Sequence, residues 1–258
     1  MTAVVYSALA LSFAARILAD LDDTSGRAKR TGAGETVDGM PFVGIVLLFI
    51  GWAACREDPL GALGLSISSL ARCPWGHMLA VWVVAFTANR AAQAYLFRSE
   101  LRGLADSGTI NPGGAYLALV GSGHVRSAVV GAAMTFSQTF IEEFFFRGLA
   151  PLAVVRALER PGISTQVAFA VSAVASSLAF GLIHFLPMKR ASSGASPWLA
   201  WYALVMPSGL GVCFCILNAM AGSLWPGWLV HWGLNYVGFM WSRTDPRWGR
   251  PKAPSMAP

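Results

Sequence analysis

Residues 141–147 read Ile-Glu-Glu-Phe-Phe-Phe-Arg and place two adjacent glutamates inside the longest apolar region of the chain. Between Asp106 and Asp245 the sequence contains only one other carboxylate, Glu159. An ionisable side chain at membrane depth is costly unless it is paired or faces a polar cavity. The stretch therefore indicates a functional site on a membrane-embedded helix.

The two glutamates have different surroundings if this stretch is helical. Glu143 and Arg147 then stand one turn apart on the same face, where they can form an ion pair. Glu142 points about 100° away from that face, because an α-helix completes a turn in roughly 3.6 residues. The spacing predicts one paired glutamate, Glu143, and one without a partner in its own helix, Glu142.

The composition of the whole chain is that of a polytopic membrane protein. Of its 258 residues, 55% are hydrophobic and 12% are charged. The mean hydropathy is +0.54, which is above the usual range of soluble proteins. The net charge of +6 is spread over several polar segments, and no cluster of Lys and Arg with interleaved aromatic residues occurs. We therefore expect the lipid bilayer as a partner, and no nucleic acid.

Apolar segments that could cross a bilayer recur along the chain. They predict an all-α fold, a transmembrane helical bundle of about seven spans, with six and eight as the bounds. The first segment has no Lys or Arg before its apolar core, so we expect a retained helix and not a signal peptide. The predicted spans cover residues 3–19, 41–55, 77–97, 127–155, 167–186, 198–221 and 224–241.

Turn-forming residues predict where these spans are interrupted. We expect a loop over residues 98–114, which contain Asp-Ser-Gly and Asn-Pro-Gly-Gly. The fourth span should bend near Gly148 or Pro151. Pro187 should end the fifth span.

Basic residues are unequally divided between the two sides of the predicted bundle. Twelve Lys and Arg lie on one side, in residues 21–41, 98–126, 187–197 and the tail from 243, and four lie on the other. The positive-inside rule then predicts the N-terminus outside and the C-terminus in the cytoplasm. In this arrangement His184 falls near the cytoplasmic end of its span, and His231 falls nearer the outer end of the last span.

Two further apolar segments contain a histidine with a patterned neighbour one turn away. Phe180 and His184 share one helix face, and His231 and Asn235 share another. These residue types suit hydrolysis, because a desolvated carboxylate and an imidazole can activate water while His and Asn can donate hydrogen bonds to an oxyanion. A Gly-x-Ser-x-Gly nucleophile motif is absent from the sequence, which leaves water as the expected nucleophile.

The same residue types could also hold zinc, with Glu142, His184 and His231 as ligands. The sequence lacks the His-Glu-x-x-His spacing of zinc proteases. We therefore expect no metal cofactor and keep zinc as the minor alternative.

Taken in order, Glu142-Glu143-x-x-x-Arg147, Phe180-x-x-x-His184 and His231-x-x-x-Asn235 resemble the three motifs of the CPBP family. That family comprises the intramembrane CAAX-type endopeptidases and their bacterial relatives. The resemblance covers residues 127–242. It implies an all-helical membrane protease in which Glu142 and His184 activate water, His231 and Asn235 bind the oxyanion, and Glu143, Arg147 and Phe180 support the site.

The resemblance also implies a substrate class. Well-known members act on prenylated proteins ending in Cys-a-a-X, while bacterial members resemble processing enzymes for peptides or C-terminal sorting tags, and some are described as bacteriocin self-immunity proteins. We expect an endopeptidase of a bacterial inner membrane that cleaves near the C-terminus of a lipidated or membrane-anchored protein.

Three regions follow from this interpretation. Residues 1–126 form N-terminal transmembrane helices without a recognised motif, residues 127–242 form the catalytic helical core, and residues 243–258 form a basic, Pro-rich cytoplasmic tail. Two other functions fit the same residues. One is a non-catalytic membrane immunity or chaperone-like factor. The other is a proton-coupled transporter, although the internal repeats typical of transporters are not seen.

Overall fold

A computed structural model describes residue 57 and residues 64–106, 124–159, 162–191 and 197–244. Every regular element within these ranges is helical, which confirms the all-α prediction for the described part of the chain. A 3₁₀ helix comes first, followed by seven α-helices, two of which run on into π-helical segments. Their bounds are Ile67–Arg72 (3₁₀), Trp75–Ala91 (α1), Ala92–Leu96 (π), Arg98–Asp106 (α2), His124–Glu143 (α3), Phe144–Leu149 (π), Ala150–Glu159 (α4), Thr165–Ala191 (α5), Pro197–Ala221 (α6) and Trp225–Thr244 (α7).

Two of the described helices are long and apolar enough to cross a membrane. They are α5, over Thr165–Arg190, and α6, over Pro197–Ala221. The predicted spans at residues 3–19 and 41–55 lie outside the described residues, as does most of the predicted tail. The total of seven spans therefore stays a prediction.

The predicted loop over residues 98–114 is wrong in its first half, because residues 98–106 form α2. This segment is amphipathic. Leu101 is buried in a cluster with Phe97 and Leu199, while Arg102 is exposed. Packing of the apolar side decides the conformation here, and the turn residues that suggested a loop begin only at Asp106.

The predicted end of the fifth span at Pro187 is also wrong, since α5 continues to Ala191. Proline removes one backbone donor, but a helix within a membrane bundle tolerates it where neighbouring groups satisfy the freed carbonyl. His184 thus lies about two turns inside α5 and not at its end. The predicted mismatch in depth between His184 and His231 disappears, because both rings contact the ring of Phe180.

The predicted bend near Gly148 or Pro151 corresponds to a π-helical segment over Phe144–Leu149. This segment begins directly after the two glutamates and joins α3 to α4. A π-helix bonds each amide to the carbonyl five residues back, and such segments are frequent at functional sites. Here it lies in the chain between Glu143 and the buried face of α4.

Two tryptophans of α7 fix its position on α3. The indole N–H of Trp228 donates to the carbonyl of Phe136, and that of Trp232 donates to the carbonyl of Ala132, both at 3.1 Å. Donors and acceptors are each one turn apart, so the two bonds set the register between the helices. This register brings His231 opposite the end of α3.

The turn between α6 and α7 is short and closed by backbone bonds. The amide of Ser223 donates to the carbonyl of Asn218 at 3.0 Å, and the amide of Gly222 donates to the carbonyl of Ala219 at 3.3 Å. This is the Schellman arrangement, in which the residue after the helix adopts a left-handed conformation. Gly222 has φ +61°, a value that glycine adopts without strain.

Candidate active site

Glu143 and Arg147 form the predicted ion pair. Nη1 of Arg147 lies 3.1 Å from Oε1 of Glu143, and both side chains are fully shielded from solvent. The guanidinium lies over the Phe180 ring, 4.2 Å from its centroid, and 5.4 Å from that of Phe214. The space for it depends on Gly211, because a Cβ at this position would lie 2.7 Å from Nη2 of Arg147.

The same oxygen of Glu143 orients the histidine of α7. Nδ1 of His231 lies 2.8 Å from Oε1 of Glu143. A carboxylate oxygen accepts, so Nδ1 carries a proton and donates a hydrogen bond to Glu143. The imidazole is held further by Phe214, whose ring stacks on it with centroids 5.4 Å apart. His231 is therefore fixed in both tautomer and orientation.

The opposite nitrogen of His231 faces two groups that were predicted to act with it. Nε2 lies 3.6 Å from Oε2 of Glu142 and 3.4 Å from Nδ2 of Asn235. The first separation exceeds hydrogen-bond length, so Glu142 remains available to a molecule that enters between them. Glu142 is also accessible, with 19% of its side chain exposed.

His184 completes the cluster from α5. Its Nδ1 lies 2.8 Å from the carbonyl of Phe180, one turn earlier in the same helix. A carbonyl only accepts, so Nδ1–H donates to it and Nε2 is left for other contacts. His184 interacts electrostatically with Glu142 and His231, and the Phe180 ring contacts both imidazoles, with centroids 4.6 Å from that of His184 and 5.7 Å from that of His231.

One partner of Glu142 was not predicted. The side-chain amide of Gln138 donates to Oε1 of Glu142 at 3.0 Å. The expectation that Glu142 has no partner in its own helix is therefore wrong. The signal was present in the sequence, since Gln138 precedes Glu142 by four residues and such pairs face each other on a helix.

Residues 124–237 match the family model described as type II CAAX prenyl endopeptidase Rce1-like. Over these residues the chain is similar to the Rce1-like family. The resemblance predicted from the three motifs is thereby confirmed, and all the residues that carry it lie inside the matched segment. No curated protein and no solved structure matches the chain.

The matched segment contains a buried amide that was not predicted from the sequence, Asn218 of α6. Its Oδ1 accepts a hydrogen bond of 2.7 Å from the amide of Gly227, in the first turn of α7. Its Nδ2 lies 2.9 Å, and Oε2 of Glu143 3.1 Å, from the position that a Cβ on Gly227 would occupy. An amide inside an apolar helix is the signal that could have identified it.

Zinc at Glu142, His184 and His231 stays a prediction. Within the described residues no three His, Cys, Asp or Glu side chains form a group that could hold a metal. Nδ1 of each of His184 and His231 donates to an oxygen, which leaves only Nε2 of each ring to bind a metal. The cation next to the buried carboxylate is Arg147, and it supplies the charge that a metal would bring there.

Proposed function

We propose that the protein is an intramembrane endopeptidase that hydrolyses a peptide bond near the C-terminus of a lipidated or membrane-inserted protein. The observation that carries this proposal is the convergence of Glu142, His184 and His231 from three helices inside an Rce1-like domain. Each of these side chains has an atom left for a ligand, while the atoms that orient it are already bonded.

Water activation is assigned to Glu142 and His184. Glu142 is the accessible glutamate of the pair, whereas the side chain of Glu143 is fully buried and already bonded to Arg147 and His231. A general base must reach the proton that it removes, which favours Glu142. Nε2 of His184, left without a proton by the bond at Nδ1, accepts a hydrogen bond from the same water.

Oxyanion stabilisation is assigned to His231 and Asn235, whose Nε2 and Nδ2 lie 3.4 Å apart. Nδ2 of Asn235 is an amide donor, and Nε2 of His231 donates as well when it carries a proton.

The proposed reaction balances through Glu142. Water attacks the carbonyl carbon and transfers a proton to Glu142, while the carbonyl oxygen becomes an oxyanion that accepts hydrogen bonds from His231 and Asn235. The C–N bond then breaks, and Glu142 returns its proton to the leaving amine. The products are a carboxylic acid and an amine, which become a carboxylate and an ammonium by passing one proton from the acid to the amine, and the enzyme is unchanged.

The substrate class follows from the family and the surroundings. The family model describes prenyl CAAX endopeptidases, which act on a lipidated C-terminal tail. Helices α5 and α6 are apolar enough to lie in the bilayer, so a substrate anchored in the membrane would reach the site laterally. We therefore propose a substrate whose lipid or membrane segment lies a few residues from the scissile bond.

Purified full-length protein should be reconstituted in phospholipid vesicles with a farnesylated Cys-a-a-X peptide carrying a fluorophore and a quencher on either side of the expected bond. In parallel, new C-termini in host membranes expressing wild type or Glu142→Gln should be compared by mass spectrometry. We expect cleavage by wild type and none by Glu142→Gln. If neither the peptide nor any membrane protein is cut differently, the non-catalytic immunity or chaperone-like function replaces this proposal.

A further inference from the structure

The carboxylate of Glu142 is held at one oxygen and open at the other. Oε1 accepts the bond from Gln138 at 3.0 Å, while Oε2 faces Nε2 of His231 across 3.6 Å. The terminal torsion of a glutamate is broad, so a carboxylate without a partner rotates over many orientations. A bond to one oxygen restricts that rotation and directs the other oxygen into the site.

We propose that Gln138 is a positioning residue that fixes the plane of the Glu142 carboxylate for water activation. This inference rests on the proposed function and adds a residue that lies outside the three motifs. Gln138 itself is exposed and lies one turn before Glu142 on α3, on the open side of the site. We expect Gln138 to orient Glu142, since its side-chain amide donates a hydrogen bond to that carboxylate and not to the ion pair of Glu143 and Arg147.

The location of Gln138 makes the proposal testable without unfolding the protein. An exposed side chain that makes one bond within its own helix contributes little to the packing of α3. Gln138→Met keeps an unbranched chain of similar length and removes the donor. Gln138→Glu keeps the shape and places a like charge beside Glu142.

The chain offers a matched control. Gln93 donates to Asn89 at 3.2 Å, again across four residues of one helical stretch. That pair lies where α1 runs on into its π-helical segment, and within the described residues it makes no bond to any residue of the proposed site. Gln93→Met therefore removes the same chemical group from the same kind of contact.

The first measurement is infrared difference spectroscopy of the full-length protein in detergent. The antisymmetric carboxylate band of Glu142 is the band that Glu142→Gln removes. We expect this band to shift in Gln138→Met and to stay in place in Gln93→Met. An unshifted band in Gln138→Met overturns the proposal, whatever the activity, so this measurement decides it independently of the proposed function.

The second measurement is cleavage of the farnesylated Cys-a-a-X peptide. Misplacing a reacting group by a fraction of an ångström is expected to lower kcat about tenfold in Gln138→Met, with KM unchanged, and by more in Gln138→Glu. Gln93→Met should keep the wild-type kcat. A shifted band with wild-type kcat in Gln138→Met overturns the positioning role. Failure of wild type to cleave any substrate overturns the proposed function. The infrared result alone then tests whether the hydrogen bond from Gln138 orients the Glu142 carboxylate.

Discussion

Glu142 and Glu143 are neighbours in the chain, yet their side chains meet opposite conditions. Glu143 is sealed from solvent and bonded to Arg147 and His231, whereas Glu142 keeps 19% of its side chain exposed and bonds to Gln138 alone within 3.5 Å in the described part of the chain. One helix therefore supplies both a structural carboxylate and an accessible one. Substitution of Glu143 should therefore lower stability, whereas substitution of Glu142 should abolish cleavage without loss of stability.

Glu143→Gln and Arg147→Ala should lower the thermal midpoint and the yield of folded protein. Removing one partner of a buried ion pair leaves an uncompensated charge and costs about 3 to 5 kcal/mol. Glu142→Gln should be inactive but as stable as wild type, because glutamine keeps the shape and removes a charge. Thermal melts of the three variants in detergent, beside the peptide-cleavage assay, check both expectations.

Two results would contradict this division. Cleavage by Glu142→Gln at the wild-type rate would exclude a glutamate base at that position. An equal loss of thermal stability in all three variants would assign the whole network to structure and favour the non-catalytic alternative.

His231→Ala and Asn235→Ala should leave the amount of protein in the membrane near normal and lower kcat by about 10² or more each. The reason is that each removes a donor aimed at the oxyanion, a loss of that size in other hydrolases. Asn235→Asp is the matched variant, since it keeps the shape without the donor. Full activity in both alanine variants would show that the oxyanion is bound elsewhere.

Chelators should not abolish cleavage, because the sequence lacks the His-Glu-x-x-His spacing of zinc proteases and we propose that Glu142 and His184 activate water without a metal. The test is activity after dialysis against EDTA and after phenanthroline, with elemental analysis of the same samples. One zinc per chain, lost together with activity and restored with it, would overturn this expectation.

Among the helices, those whose apolar pattern is uninterrupted could be predicted to within a few residues, as α6 and α7 were. The errors fell where packing overrides a local signal. Leu101 buries one side of α2 although the neighbouring segment is rich in turn residues, and α5 continues through Pro187 with Met188 packed against the cluster that contains Leu101. Neither contact can be read from the residues of the helix itself.

The first turn of α7 makes a prediction at this scale. Its amides are satisfied by side chains, since Trp225 donates to Oγ of Ser223 at 3.2 Å and Gly227 donates to Oδ1 of Asn218 at 2.7 Å. Gly227→Ala would place a Cβ 2.8 Å from that oxygen and 3.1 Å from Oε2 of Glu143. We expect a lower thermal midpoint and a reduced kcat, because the start of α7 carries His231.

Gly209→Ala is the control for this substitution. Gly209 is exposed on α6, and a Cβ there meets nothing within 4 Å. Alanine at an open helical position stabilises by about 0.5 to 1 kcal/mol relative to glycine. Equal melting curves for the two variants would show that the space at Gly227 is not restrictive.

For the molecule as a whole, the distribution of basic residues predicts an orientation. We expect a phosphatase fused after Gly222 to be active, because this turn lies outside the cell. Phosphatase fusions after residue 195 or at the C-terminus should be inactive, and a fluorescent protein fused at the same two positions should fluoresce in the cytoplasm. Reporter activity in the opposite pattern would contradict this orientation.

The residues of the candidate site could be predicted from the sequence, but the hydrogen bonds that join them across helices could not. Motif spacing pointed to Glu142, His184, His231 and Asn235, because each motif contains two residues that lie one helical turn apart. It could not show that Glu143 bonds His231 across 88 positions of chain, or that Asn218 reaches the start of α7. Such contacts depend on the register between helices, which the indoles of α7 set and no single segment encodes.

The π-helical segment at Phe144–Leu149 has a consequence for how chains of this kind can change length. Its wider turn accommodates about one residue more than an α-helical path over the same distance. Deleting Gly148 would therefore let the segment close into a regular α-helix, with the ion pair that precedes it and the orientation of α4 largely preserved. A single deletion at this point is expected to be tolerated better than one inside α3 or α4, where it would rotate the residues that follow by roughly 100° about the helix axis.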